Sequence, residues 1–328
     1  MITAKKFILK RLYSGVPKDT DVDIVEEELQ PIKDGEFLTE AVYISVDPYM
    51  RTFPPNIGAD LEGDQVAKII ESKSKEYPVG KYVVASFGWR THTIAKEIPL
   101  PGGILTDFEN LPLSLALGML GMPGNTAYLG FLTICKPKDG ETVVVSGAGG
   151  AVGSHVGQIA KIMGCKVIGI LGDDLKGKYI TEELGFDHYI NYKRANVKNE
   201  LEKLAPNGID CYFDNVSGEI SSTVISLMNE RGRVCVCGAI SEYNYDPHNY
   251  PKVSPILGTI LIKQLYVEGF SVYGFTDRWN EAKEQNWKWI KQGKLKYKET
   301  ITHGFDNTFT AFLDLFQGKN YGKAIVKV

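Results

Sequence analysis

The period of the apolar positions changes along this chain, and the change divides it. In LTEAVYISV, Val42, Ile44 and Val46 alternate with polar or small residues, the pattern of a strand with one buried face. VAKIIES at 66 to 72 and KYVVASF at 81 to 87 predict two more strands, with turns at GVP, PIKDG and YPVGK. Such short alternating strands predict an antiparallel, barrel-like domain. From residue 143 the period switches. Val143 to Val145 reads as a buried strand, and Val152, Val156, Ile159, Ala160 and Met163 then recur at helical spacing. Strand and helix alternate from there: KVIGIL, then DLKGKYITEELG as a helix ended by Gly185, then HYINY and a short helix from Asn196 to Leu204. CYFDNV, a helix over ISSTVISLMNE and the strand RVCVCG complete the series. Alternation of this kind builds an α/β doubly wound parallel sheet with helices on both faces, the Rossmann type. TITHGF, a helix from Asp306 to Phe316 and KAIVKV return to the earlier style, so the tail is expected to rejoin the first domain.

The length of 328 residues agrees with two domains. Lys+Arg 37 against Asp+Glu 40 gives a net charge of -3 with no block of like charge, which argues against nucleic acid and for a small-molecule partner. The five cysteines form no CxxC pair, and Cys235 and Cys237 read as small buried thiols. MITAKKFILKRLYSG lacks a signal-peptide core, and LPLSLALGMLGMPG is broken by proline and glycine short of a membrane span. These features together predict a soluble protein of a reducing, cytoplasmic compartment.

The stretch VVVSGAGGAVGSHVGQIAK, from 143 to 161, places four glycines between a strand and a helix. Without side chains, the turn lets a phosphate approach the unpaired N–H groups at the helix start. Gly149, Gly153 and Gly157 fall four apart, so the helix is expected to lie close to the strand below it. The spacing Gly147, Gly149, Gly153 is GxGxxxG rather than GxGxxG, and a turn that serves packing alone is the competing reading. The second strand ends in Ile170, Leu171 and Gly172, where an NAD site carries an acidic residue. Lys176 follows, suited to a 2′-phosphate, so NADPH is favoured over NADH; a solvated lysine on a helix's first turn is the alternative. Asp173 and Asp174 oppose a phosphate unless they act as helix caps. The histidines, His92, His155, His188, His248 and His303, lie apart from any cysteine cluster, which disfavours catalytic zinc. Hydride is then expected to go to an activated C=C or C=O whose developing charge meets hydroxyl or backbone donors.

With VDPYMR at 46 to 51, LPLSLALGMLGMPGNTAY at 111 to 128, GAVGSHVGQIAK at 150 to 161, YFDNVSGE at 212 to 219 and CGAISEYN at 237 to 244, the chain resembles the zinc-free branch of the medium-chain dehydrogenase/reductases nearly end to end. Among them it is most similar to the enone reductases. The resemblance implies a GroES-like, partly open β-barrel substrate domain over 1–119, a Rossmann domain over 120–296, a return over 297–328, and a homodimer. It implies NADPH-dependent reduction of the C=C bond conjugated to a carbonyl in 15-oxo-prostaglandins, alkenals and alkenones. Hydride would go to the β-carbon, leaving an enolate to be stabilised. Tyr49 and Tyr243 match tyrosines near the substrate, where a phenol donates to the enolate oxygen and a cofactor ribose hydroxyl competes; Tyr49 also reads as a packed aromatic behind the Asp47-Pro48 turn. The pyrophosphate would meet Gly150, Ala151, Val152 and Gly153, and the 2′-phosphate Lys176 and Tyr192. Asn215, Cys237, Gly238, Ala239, Ile240, Ser241 and Tyr243 would line the nicotinamide half, with Phe270, Val272 and Tyr273 nearby. Asn320 would close the cleft between the domains.

Three departures from the family pattern bear on specificity. They are Asp173 in place of a small polar residue, a short double-proline loop TFPPNIGADLEGDQ, and Ile262 or Lys263 where LGTILIKQLYVEGF lacks a central tyrosine. Two other readings stay open. One is a zinc-free NADPH:quinone oxidoreductase, against which AISEYN and VDPYMR argue. The other is a non-catalytic nucleotide-binding protein, which predicts damaged cofactor contacts, whereas Lys176, Tyr192, Asn215 and Asn320 are all present.

Overall fold

The computed structural model describes residues 2–99, 101–106, 108–246 and 249–328. The chain folds into two units: one comprises the residues up to Gly118 together with Glu299–Asn320 and Ala324–Val328, the other Met119–Lys298 and Tyr321–Lys323.

In the first unit, β1 (Ile2–Leu9) pairs antiparallel with β2 (Val22–Leu29). The strands β3 (Phe37–Ser45), β4 (Gln65–Ser72), β5 (Tyr82–Ala85) and β7 (Gly103–Ile104) lie side by side in that order, with β6 (His92–Ala95) also on β3. Val42 departs from its expected face. Ile44 and Val46 are buried, but Ala41 pairs with Ala67 and Tyr43 with Val66, so Val42 is an extra residue and only half-buried. Such a bulge turns one side chain out of the alternation.

The second unit opens with α1 (Met122–Gly130) and then alternates: β8 (Thr142–Ser146), α2 (Ala151–Ile162), β9 (Lys166–Leu171), α3 (Asp174–Lys178), β10 (His188–Asn191) and α4 (Val197–Leu204). It continues with β11 (Ile209–Asp214), α5 (Gly218–Ser226), β12 (Met228–Val236), α6 (Leu257–Lys263), β13 (Tyr266–Gly269) and α7 (Trp279–Lys291). The parallel sheet runs β10-β9-β8-β11-β12-β13, so the order reverses between β8 and β11. In sheets of this type, ligands bind beyond the strand ends at that reversal. Both faces are covered: Val143 and Val145 pack with Val156, Ile159 and Phe213, whereas Val144 packs with Ile168, Tyr212 and Val234. Hence the strands read as continuous apolar runs.

Two expectations need correction. The helix over ISSTVISLMNE ends at Ser226, and Met228 already belongs to β12, whose Met228 is buried beneath α5 and pairs with Ile209. Gly157 makes room for the Phe186 ring rather than for a strand, while a Cβ on Gly153 would collide with the Gly147 carbonyl at the turn.

In the tail, β14 (Glu299–His303) and β15 (Lys323–Lys327) extend the first unit's sheet in the order β14-β15-β3. Between them α8 (Thr308–Phe316) supplies Phe309 and Phe312, whose rings stand 6.4 and 5.6 Å from that of Trp89. No described helix is long and apolar enough to cross a membrane.

Candidate active site

The ends of β8, β9, β11 and β12 carry most of the residues singled out above. At β8, Gly150 caps α2, and its N–H donates to the Gly147 carbonyl at 3.0 Å. The amides of Ala151, Val152 and Gly153 form the first turn, where no helical carbonyl lies within reach. Gly150 to Val152 are half-exposed, so this turn of a twelve-residue helix presents its N–H groups outward. The cradle fits a pyrophosphate.

Beside it, at the end of β9, Asp173 accepts the Lys176 backbone N–H at 2.9 Å, and Asp174 accepts from Asn191 and pairs with Arg194 at 2.6 Å. Both carboxylates therefore belong to helix capping and pairing, which removes the objection they posed to a phosphate. Lys176 is only 8% exposed, and its Cδ would lie 3.0 Å from a Cβ on Gly149, so its stem lies along the glycine turn. Burial lowers the pKa of its ammonium, and the Asp173 charge opposes that shift. Tyr192 donates its N–H to Leu171 and rests its ring against Gly172, leaving 45% of the residue exposed.

Across the sheet reversal, two loops are sewn together by one buried carboxylate. Asp214, at the end of β11, accepts from Ser146 Oγ at 2.9 Å, Tyr212 Oη at 2.8 Å and the N–H groups of Val216 and Ser217 at 2.9 and 3.0 Å. Its other oxygen accepts from Ser221 at 2.5 Å. Its carbonyl accepts from the Cys237 and Gly238 amides, and the Asn215 and Val216 carbonyls from those of Ile240 and Ser241. Ser217 hydrogen-bonds Glu242, closing the pair of loops. Asn215 donates through Nδ2 to the Ser146 carbonyl at 2.8 Å, which orients its amide. Sequence reading selected Asn215 but passed over Asp214; an Asp at a strand end before Asn, Ser and Gly is a capping signal that points to it.

Tyr243 folds back so that its oxygen accepts the Ala239 N–H at 3.3 Å, which leaves the phenol proton available to donate. Burial raises its pKa, so it stays protonated at neutral pH. Cys237 lies just beyond β12 and burial pushes its thiol up to about 12, so it is an inert lining group. Phe270 follows β13, donates its N–H to Val236, and is buried like Val272, while Tyr273 is exposed.

The remaining two residues belong to the first unit. Tyr49 sits on a single 3₁₀ turn, Pro48–Arg51, that Asp47 precedes in extended form and accepts from Ser45. It is half-buried and, with Tyr13, Phe53, Leu61, Trp89 and Phe312, lines a small aromatic pocket. Phe53 and Leu61 come from the double-proline loop. Asn320 is half-buried at the end of the tail segment of this unit. Of the departures in LGTILIKQLYVEGF, Ile262 is 77% exposed, and Lys263 donates to the Ser226 and Met228 carbonyls.

Two family models match, one described as the N-terminal domain of oxidoreductase over residues 5–100 and one as zinc-binding dehydrogenase over 151–291. Among the described residues, no three His, Cys, Asp or Glu side chains stand together as a metal site. Prostaglandin reductase 1 of Bos taurus is 46% identical over the full length of both chains. The NADP(+)-dependent 2-alkenal reductase of Nicotiana tabacum is 36% identical, covering 100% of this chain and 98% of its own. CurA from Vibrio vulnificus, solved in complex with NADPH, superposes with a TM-score of 0.93 at 36% identity over 99% of each chain. The chain thus belongs to the zinc-independent medium-chain dehydrogenase/reductases, in the group of prostaglandin reductase 1.

Proposed function

We propose that this protein reduces the C=C bond of α,β-unsaturated ketones and aldehydes with NADPH. The observation that carries the reading is the full-length match to a reductase of that class, joined to a strand end where a buried lysine, not a carboxylate, flanks the glycine turn. The nicotinamide supplies hydride to the β-carbon when bound. The amides of Ala151, Val152 and Gly153 hold the pyrophosphate, and Lys176 with Tyr192 receives the 2′-phosphate. Asn215, fixed through Ser146, offers its amide oxygen to the carboxamide, and residues 237–241 with Phe270, Val272 and Tyr273 wall the ring. Asn320 contributes from the tail.

Charge then builds on the substrate carbonyl oxygen. A neutral phenol stabilises it by donation, the role assigned to Tyr243 and Tyr49. The aromatic pocket around Tyr49 suits an apolar acyl or alkenyl chain.

A homodimer belongs to this reading. Its support is the sheet edge at β13, exposed throughout, beside α6 with Leu257 and Leu261 77% exposed. A reducing, cytoplasmic setting is supported by free cysteines, four of them buried. Incubation with NADPH and a simple alkenone or 15-oxo-prostaglandin E2 tests the reaction. The saturated ketone is the expected product; an allylic alcohol, or turnover of quinones alone, contradicts it.

A further inference from the structure

The tail returns three residues, Tyr321–Lys323, to the nucleotide-type unit. Gly322 donates its N–H to the Gly149 carbonyl at 2.9 Å, which ties the tail to the glycine turn, and Lys323 donates to the Lys298 carbonyl at 3.1 Å. The Tyr321 ring is thereby held beside two ammonium groups: Lys176 Nζ lies 5.4 Å and Lys298 Nζ 4.9 Å from its centroid. Lys298 also stands 4.3 Å from the Tyr179 ring, which meets Tyr321 edge-on at 6.2 Å. Aromatic faces attract ammonium groups and fix their positions. Lys298 is exposed and, among the described residues, meets no carboxylate within 4.0 Å. The Lys193 charge disfavours and the Asp173 charge favours the ammonium form of Lys176, and the Asp173 carboxylate also accepts the Lys176 N–H. Cations gathered on two aromatic rings fit a phosphate monoester dianion.

We infer that Lys298 is a second cationic contact for the cofactor's 2′-phosphate and that Tyr321 is the positioning residue that holds Lys298 and Lys176 for it. This rests on the NADPH reading above. It assigns cofactor discrimination partly to the tail, about 145 residues from Lys176 in sequence.

Dissociation constants for NADPH and NADH, taken by fluorescence titration at two salt concentrations, test it on the full-length wild type, Lys176→Ala, Tyr321→Ala, Tyr321→Phe and Lys298→Gln. Tyr321→Ala is expected to weaken NADPH about tenfold and NADH less than about twofold. Tyr321→Phe keeps the ring and is expected to stay close to wild type. Lys298→Gln, at an exposed position, is expected to weaken NADPH several-fold and flatten its salt dependence. If Tyr321→Ala weakens both nucleotides equally, the tail merely supports the turn, and the inference falls. If Lys176→Ala loses discrimination while Lys298→Gln keeps it in full, the inference falls and the NADPH reading stands. A wild type that binds both nucleotides alike overturns both.

Discussion

The two sides of the sheet reversal solve different problems. Beyond β9 the structure gathers charge: a lysine laid along a glycine turn, two aspartates withdrawn into capping and pairing, and aromatic rings beside ammonium groups. Beyond β11 and β12, one buried carboxylate and a run of backbone hydrogen bonds fix the loops that carry Asn215 and Tyr243. In the proposed reading the first arrangement selects the cofactor. The second defines geometry, and geometry there is inseparable from stability.

That contrast breaks first at Asp214. Asp214→Ala strands several buried donors at once and is expected to cost about 3 kcal/mol or more, read as a lower urea midpoint at unchanged slope. A loss under about 1 kcal/mol would mean that the loops do not depend on it. On the other side, the largest stability effect belongs to His155, buried on α2 with its Nε2 3.2 Å from Asn286 Oδ1. Burial lowers its pKa to about 4. The unfolded chain therefore binds the proton first, so stability is full above the ordinary histidine value near 6.5 and falls as pH drops toward 4. The loss across that window approaches about 3 kcal/mol, and His155→Gln should flatten it. Denaturant melts at pH 7 and 4.5 provide the check.

Lys176→Ala is expected to weaken NADPH by about 1.5 to 3 kcal/mol and NADH little, with the melting temperature nearly unchanged. Equal losses for both nucleotides would erase the distinction between the two sides. Tyr243→Phe and Tyr49→Phe should each lower kcat by about tenfold while the NADPH dissociation constant holds. The reverse pattern would place that tyrosine on the cofactor.

Local signals made part of this legible. The β8 strand, the glycine turn and α2 are contiguous, and β9 spans KVIGIL as its apolar run indicates. Asn196 announces α4 by capping it, accepting the Asn199 N–H at 3.0 Å. What escaped was decided at a distance. Val42 leaves its face because β4 sets the register opposite it, and β12 claims Met228 because β11 and α5 cover that position. Within the site, the glycines, Lys176, Tyr192 and Asn215 stood in short motifs, and the structure gathers them at neighbouring strand ends. The Asp214 network joins partners from Ser146 to Ser221, and the Lys298 and Tyr321 cluster joins the end of the α/β section to the tail, so neither leaves a period or a motif in the sequence.

The direction of the hydride distinguishes reduction of the C=C bond from reduction of the carbonyl. NADPH deuterated at the transferring C4 position, reacted with an alkenone on this protein, should give a saturated ketone labelled at the β-carbon and nowhere else, because the proposed reduction sends hydride to the conjugated C=C bond and leaves the carbonyl carbon untouched. Label at the carbonyl carbon of an allylic alcohol would contradict the account.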